Sequence, residues 1–179
     1  MLSALSLPGM SLLSSRAIAR QPGSTSIIAV TEDICRDTRA FADKLPVSLI
    51  DSDPASMMLQ IASGFENRDF QLAYGLTRDS NMMLIEQYAQ QFGYILQFHG
   101  VHSYRGDRLH HSVMAGSELL NHLETSLADA SMDWVSSISR VPFFAGHDEA
   151  PLLTREMETR HSMPADASGQ LVSWMFFRG

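Results

Sequence analysis

The chain is poor in the residues that staple or tether a protein. It has one cysteine, Cys35, so no intramolecular disulfide can form and a disulfide framework is excluded. It has one lysine, Lys44, and its other basic residues are arginines, so chemistry that needs a lysine has a single candidate. No apolar run approaches the ~20 residues of a membrane-spanning helix. Three signatures are also missing. There is no GxGxxG after a strand-like run, no GxxxxGK[ST] and no G-x-S-x-G. The standard dinucleotide fingerprint, the P-loop and the hydrolase nucleophile elbow are therefore excluded.

What is present is ordinary for a soluble globular protein: 45% apolar and 18% charged residues in a chain of 179. That length suits one domain, or one domain and a tail. A net charge of −7 disfavours nucleic-acid binding through a broad basic face. The densest basic patch is short, around Arg105 and Arg108. The 11 methionines read first as core filling, with an adaptable protein-binding surface as the alternative. A soluble, cytoplasmic protein is the expectation.

Residues 1–26 are Ser- and Leu-rich, carry Arg16 and Arg20 and contain no acid, the first being Glu32. They read as a flexible tail or as a targeting or export segment, and Pro22-Gly23 marks the boundary to one globular domain over 27–179. In that domain Ile27–Val30 is expected as a strand. A helix follows from Thr31, with Ile34, Thr38, Phe41 and Leu45 on its stripe and Pro46 as its stop. Val47–Ile50 is a second strand, and Asp53-Pro54 starts a second helix. Phe70–Leu76 is a third strand, followed by a helix from Asp79 or Ser80 to Gly93. Tyr94–His99 is a fourth strand. Leu109, Val113, Leu120, Leu123 and Leu127 predict one long fourth helix, Trp134–Val141 a fifth strand, 142–169 a loop and Leu171–Phe177 a buried closing strand. Strands alternating with helices predict an α/β fold, a compact three-layer sandwich with a mainly parallel sheet; α+β is the alternative.

In open α/β sheets ligands bind at the carboxyl ends of the strands. Thr31, Glu32, Asp33, Asp51, Asp53, Thr77, Arg78, Asp79, His99 and His102 are expected at those ends. Many of these also suit helix N-caps. The run Asp51-Ser52-Asp53 after an apolar strand resembles the nucleophile motif of haloacid-dehalogenase-type phosphotransferases. That family needs a downstream lysine, which this chain lacks, so the reading is set aside. Five of the seven histidines fall between residues 99 and 122. His99 and His102 flank Gly100, and with His110 and Asp107 they form a candidate set for one divalent metal, zinc or manganese. Cys35, a later histidine and Asp107 or Asn121 have the chain order of a papain-like thiol hydrolase. Yet Cys35 lies beside the apolar stripe of its helix, as a structural cysteine would.

Three functions follow as expectations. The first is a small hydrolase-like enzyme, with or without metal. His99, His102, Asp51 and Asp53 are its catalytic candidates, and Arg78 and Arg105 would hold an anionic substrate. The second is a non-catalytic interaction protein or exported effector that binds protein partners through Met-rich helices. The third is a small-anion-binding domain without chemistry.

Overall fold

The computed structural model describes residues 27–45, 48–51, 53–129, 133–144, 151–161, 163–167 and 169–179. The elements run β1 (Ile27–Glu32), α1 (Arg36–Asp43), β2 (Ser48–Asp51), α2 (Pro54–Glu66), β3 (Leu72–Arg78), α3 (Asp79–Gln91), β4 (Tyr94–Arg105), β5 (Arg108–Ala115), α4 (Ser117–Ala128), α5 (Trp134–Ser139), α6 (Val141–Phe144), β6 (Leu153–Arg160) and β7 (Gln170–Arg178). The expected N-terminal tail, the Pro46 stop and residues 145–150 of the expected loop lie outside the described residues.

All seven strands join one sheet in the order β2-β1-β3-β7-β4-β5-β6. β1 pairs in parallel with β2 and β3. The other four junctions, β3–β7, β7–β4, β4–β5 and β5–β6, are antiparallel. The mainly parallel sheet expected from the sequence is therefore wrong. The fold is a mixed α+β one with a mostly antiparallel sheet. The reason is specific. β1 to β4 do all run the same way, as strand–helix alternation demands, but the last strand inserts between β3 and β4. The chain beyond β4 then returns as an antiparallel hairpin instead of another helical crossover.

The helices cover both faces. On one, Phe41 of α1, Leu120 and Leu123 of α4 and Trp134 and Ile138 of α5 pack on Tyr74, Phe98, Val113 and Met175. On the other, Met57, Ile61 and Phe65 of α2 and Met82 and Ile85 of α3 pack on Val30, Ala73, Trp174 and Phe176. β7 is buried on both faces because it sits in the middle, with Trp174 and Phe176 on one side and Leu171 and Met175 on the other.

Trp174 lies against Gly75 of β3. A Cβ at Gly75 would stand 2.3 Å from Trp174 Cζ2 and 2.7 Å from the carbonyl oxygen of Val30. The indole can shift, but the strand carbonyl cannot. Gly75→Ala is therefore expected to lower stability by ~2–3 kcal/mol, read as a lower urea midpoint at unchanged m-value.

Candidate functional site

The expected histidine centre is split by strand geometry. Successive side chains of a strand point to opposite faces, so His99 and His102, three residues apart on β4, cannot share a site. His102 faces α1, α4 and α5 and is buried. His99 lies on the α2–α3 side, half-buried. Burial lowers its pKa, against the opposing pull of Glu86 and Asp79.

The other predicted residues are spread further. Asp51 ends β2, opposite Glu32 of β1. Four inter-strand steps separate β2 from β4, about 19 Å at the usual spacing. Asp53 is the N-cap of α2 and accepts from the Ala55 and Ser56 amides. Arg78 is the exposed N-cap residue of α3. Arg105 and Asp107 are exposed at the β4–β5 turn. His110 is on the face opposite His111, its Nδ1 3.1 Å from Glu158. Among the described residues, no three His, Cys, Asp or Glu side chains come together to hold a metal ion.

The strand-end groups serve the fold. Glu32 is buried at the end of β1, where its carboxylate accepts from the Arg78 amide at 2.6 Å and from Asn81 Nδ2 at 2.7 Å. It thereby fixes the entry to α3. The Thr31 hydroxyl donates to carbonyls of Thr38 and Leu76. Cys35 is the N-cap of α1, and its buried sulfur lies 3.6 Å from Thr38 Oγ1. A side chain so enclosed fits a structural role.

What the histidines build is a polar chain through the core. His102 and His111 are direct partners across the β4–β5 hairpin, with their Nδ1 atoms 2.8 Å apart. His102 Nε2 is 2.6 Å from Ser173 Oγ, and His111 Nε2 is 3.0 Å from Thr159 Oγ1. The Ser173 hydroxyl also reaches the Gly100 carbonyl at 3.4 Å. That last contact sets the direction of the whole chain of donors. Ser173 donates to Gly100, His102 Nε2–H donates to Ser173, His111 Nδ1–H donates to His102 and Thr159 donates to His111. Each imidazole is neutral and each of its nitrogens is used. A proton added to His102 at Nδ1 would set N–H against the N–H of His111, and one added to His111 at Nε2 would require the Thr159 hydroxyl to turn from donor to acceptor. Burial holds both pKa values down, His102 well below its ordinary range and His111 at about 4. The Trp134 ring covers the pair, 4.8 and 5.8 Å away between centroids. Gly100 leaves the room required, since a Cβ there would stand 2.6 Å from Ser173 Oγ.

An open cleft lies elsewhere, between the end of α1, α5 and α6. It has a volume of about 520 Å³ and is lined by Lys44, Ser136, Ser139, Arg140, Phe143 and Phe144. Lys44 Nζ is 3.5 Å from Asp133. Among the described residues the Arg140 guanidinium has no acidic partner. Phe143 and Phe144 are 64% and 46% exposed. Of the lining residues only Lys44, the lone lysine, stands out in the sequence. The available signal was Arg140 followed three residues later by a Phe-Phe pair, a cation beside apolar surface at the end of a short segment.

Comparison with family models, with curated proteins and with solved structures gives no match for this chain.

Proposed function

We propose that the protein is a small-anion-binding module whose ligand sits in the α1–α5–α6 cleft and is held without covalent chemistry. The observation that carries this is Arg140, a guanidinium left without an acidic partner among the described residues, sharing a cleft with Lys44. A cation at the mouth of a cleft attracts an anion and orients it. The enzymatic reading, built on His99, His102, Asp51 and Asp53, is less well supported, because His102 lies on the face opposite His99 and spends both ring nitrogens on His111 and Ser173. The test is an NMR titration with acetate, sulfate, phosphate and benzoate. Saturable shifts are expected at Lys44, Ser136, Ser139 and Arg140 for at least one anion, and their loss is expected in Arg140→Gln. No saturable shift at these residues with any of the four would overturn the proposal.

A second reading, a protein-docking surface, has its own observation. Met83, Leu84 and Tyr88 are exposed on α3, and Leu59 is exposed on the neighbouring α2. Leu84→Glu should leave anion binding unchanged and abolish any self-association seen in sedimentation. No described helix is long and apolar enough to cross a membrane.

A further inference from the structure

Resting on that anion-binding reading, we infer that the ligand is an aromatic monocarboxylate, with its carboxylate on Arg140 and its ring against Phe143 and Phe144. Among the described residues, the charge balance of the cleft argues for a single negative charge. Lys44 lies 3.5 Å from the Asp133 carboxylate, so that pair is close to neutral, and Arg140 adds one positive charge. A monoanion balances it. A phosphate dianion would leave a charge uncompensated.

The donors argue the same way. Phosphate sites on proteins draw on several convergent N–H groups. Here the Ser136 amide already donates to Asp133 Oδ1 at 2.7 Å and the Ser136 hydroxyl to Asp133 Oδ2 at 2.8 Å. The Ser139 hydroxyl donates to the Ser136 carbonyl at 3.0 Å. Beside Lys44, which is shared with Asp133, what remains among the described residues is the planar fork of the Arg140 guanidinium, whose geometry matches a carboxylate.

The rest of the cleft is made for a body, not a bare ion. A volume of about 520 Å³ falls in the range of organic ligand sites. Phe143 and Phe144 together present an apolar wall that a hydrated ion would leave wet. His122 stacks on Phe144 with centroids 5.2 Å apart and planes 13° from parallel, so a flat group already packs against one of these rings. A second flat body suits the same wall better than a flexible chain, which would lose rotamer entropy on binding.

The test uses the full chain and three probes: 2-naphthoate, octanoate and inorganic phosphate, each titrated by calorimetry. We expect 2-naphthoate to bind at least fivefold more tightly than octanoate and phosphate. Arg140→Gln should weaken it tenfold or more, and Phe143→Ser threefold or more. Both altered residues are exposed, so both variants should fold. A second readout uses the lone lysine. Acylation of Lys44 by an amine-reactive ester, followed by mass spectrometry, should slow when 2-naphthoate is saturating. Tighter binding of phosphate, with the same dependence on Arg140, would overturn the ligand class and leave the anion-binding reading standing. Octanoate binding as well as 2-naphthoate would overturn the aromatic body alone. No binding of any probe, with Lys44 unprotected, would overturn both this inference and the reading on which it rests.

Discussion

Acid should destabilise this protein well before its carboxylates are protonated. Between pH 6.5 and pH 4 the free energy of unfolding is expected to fall by about 3 kcal/mol through His111 alone, the interval between its ordinary pKa and about 4. A histidine whose folded pKa is depressed contributes fully where both states are neutral, above pH 6.5. As the pH drops, the unfolded chain takes up a proton that the folded core refuses. Stability then declines until the folded pKa is reached. His102, buried beside it, acts in the same direction. So does His99 on the other face, more weakly because it is only half-buried. Asp37, whose carboxyl burial raises in pKa, works against the trend at the bottom of the window.

Urea unfolding at pH 8, 6 and 5 measures this directly. The midpoint should fall at each step. His111→Asn should cost about 1–3 kcal/mol at pH 8, since it disturbs the partners of His102 and Thr159. It should also flatten the dependence on pH. A wild-type midpoint that stays constant from pH 8 to pH 5 would show that the pair is not held neutral.

The same pair shows how far the sequence could be read. Arg105-Gly106-Asp107-Arg108 is a two-residue hairpin. Gly106 has φ 65° and Asp107 lies outside the left-handed region, as a type II′ turn requires. Once that turn is seen, His102 and His111 stand at equal distances from it and must pair. Periodicity hid it. Leu109 and Val113 are four apart, a spacing that suits a helix and equally a strand of period two, so β5 and α4 merge into one apparent helix. Gly116, between them, was the break. Trp134–Ser139 misleads in the opposite way. Most of α5 is buried, so it shows no amphipathic stripe, and the Asp133 cap is its only clear helical signal. β6 escapes because an edge strand is protected by charge, and Leu-Thr-Arg-Glu-Met-Glu-Thr-Arg reads as loop.

Local signals were legible where they were local. Asp53-Pro54 does begin α2, and Gly93, at φ 80°, follows α3. The candidate site was less legible, because it needs the end of α1 to meet α5 and α6, nearly a hundred residues later. Gly100 stands in the sequence only as the glycine that His99 and His102 flank. In the structure it makes room for a serine hydroxyl. No property of residues 99–105 announces that Ser173 will lie beside them, since that depends on where the last strand inserts.

That insertion carries the largest expected effect. A chain stopped at Gly169 lacks the strand that joins β3 to β4. It loses five large apolar side chains that are buried in the folded protein: Leu171, Val172, Trp174, Met175 and Phe176. Their burial is worth on the order of 10 kcal/mol, comparable to the whole net stability of a domain. The cut also leaves the facing edges of β3 and β4 unpaired in the middle of the sheet, where water cannot satisfy them without opening the core. The truncated chain should show no cooperative urea transition and no near-ultraviolet circular dichroism. A synthetic peptide of residues 170–179 added in trans should restore both in part. The milder variant Trp174→Ala, which keeps the strand, should fold but lose about 4 kcal/mol. It removes a fully buried ring and the donor to Thr77 Oγ1 at 3.0 Å. A truncated chain that still unfolded cooperatively would mean that β1–β3 and β4–β6 hold together without their central strand. The insertion would then be a late addition to a fold already formed.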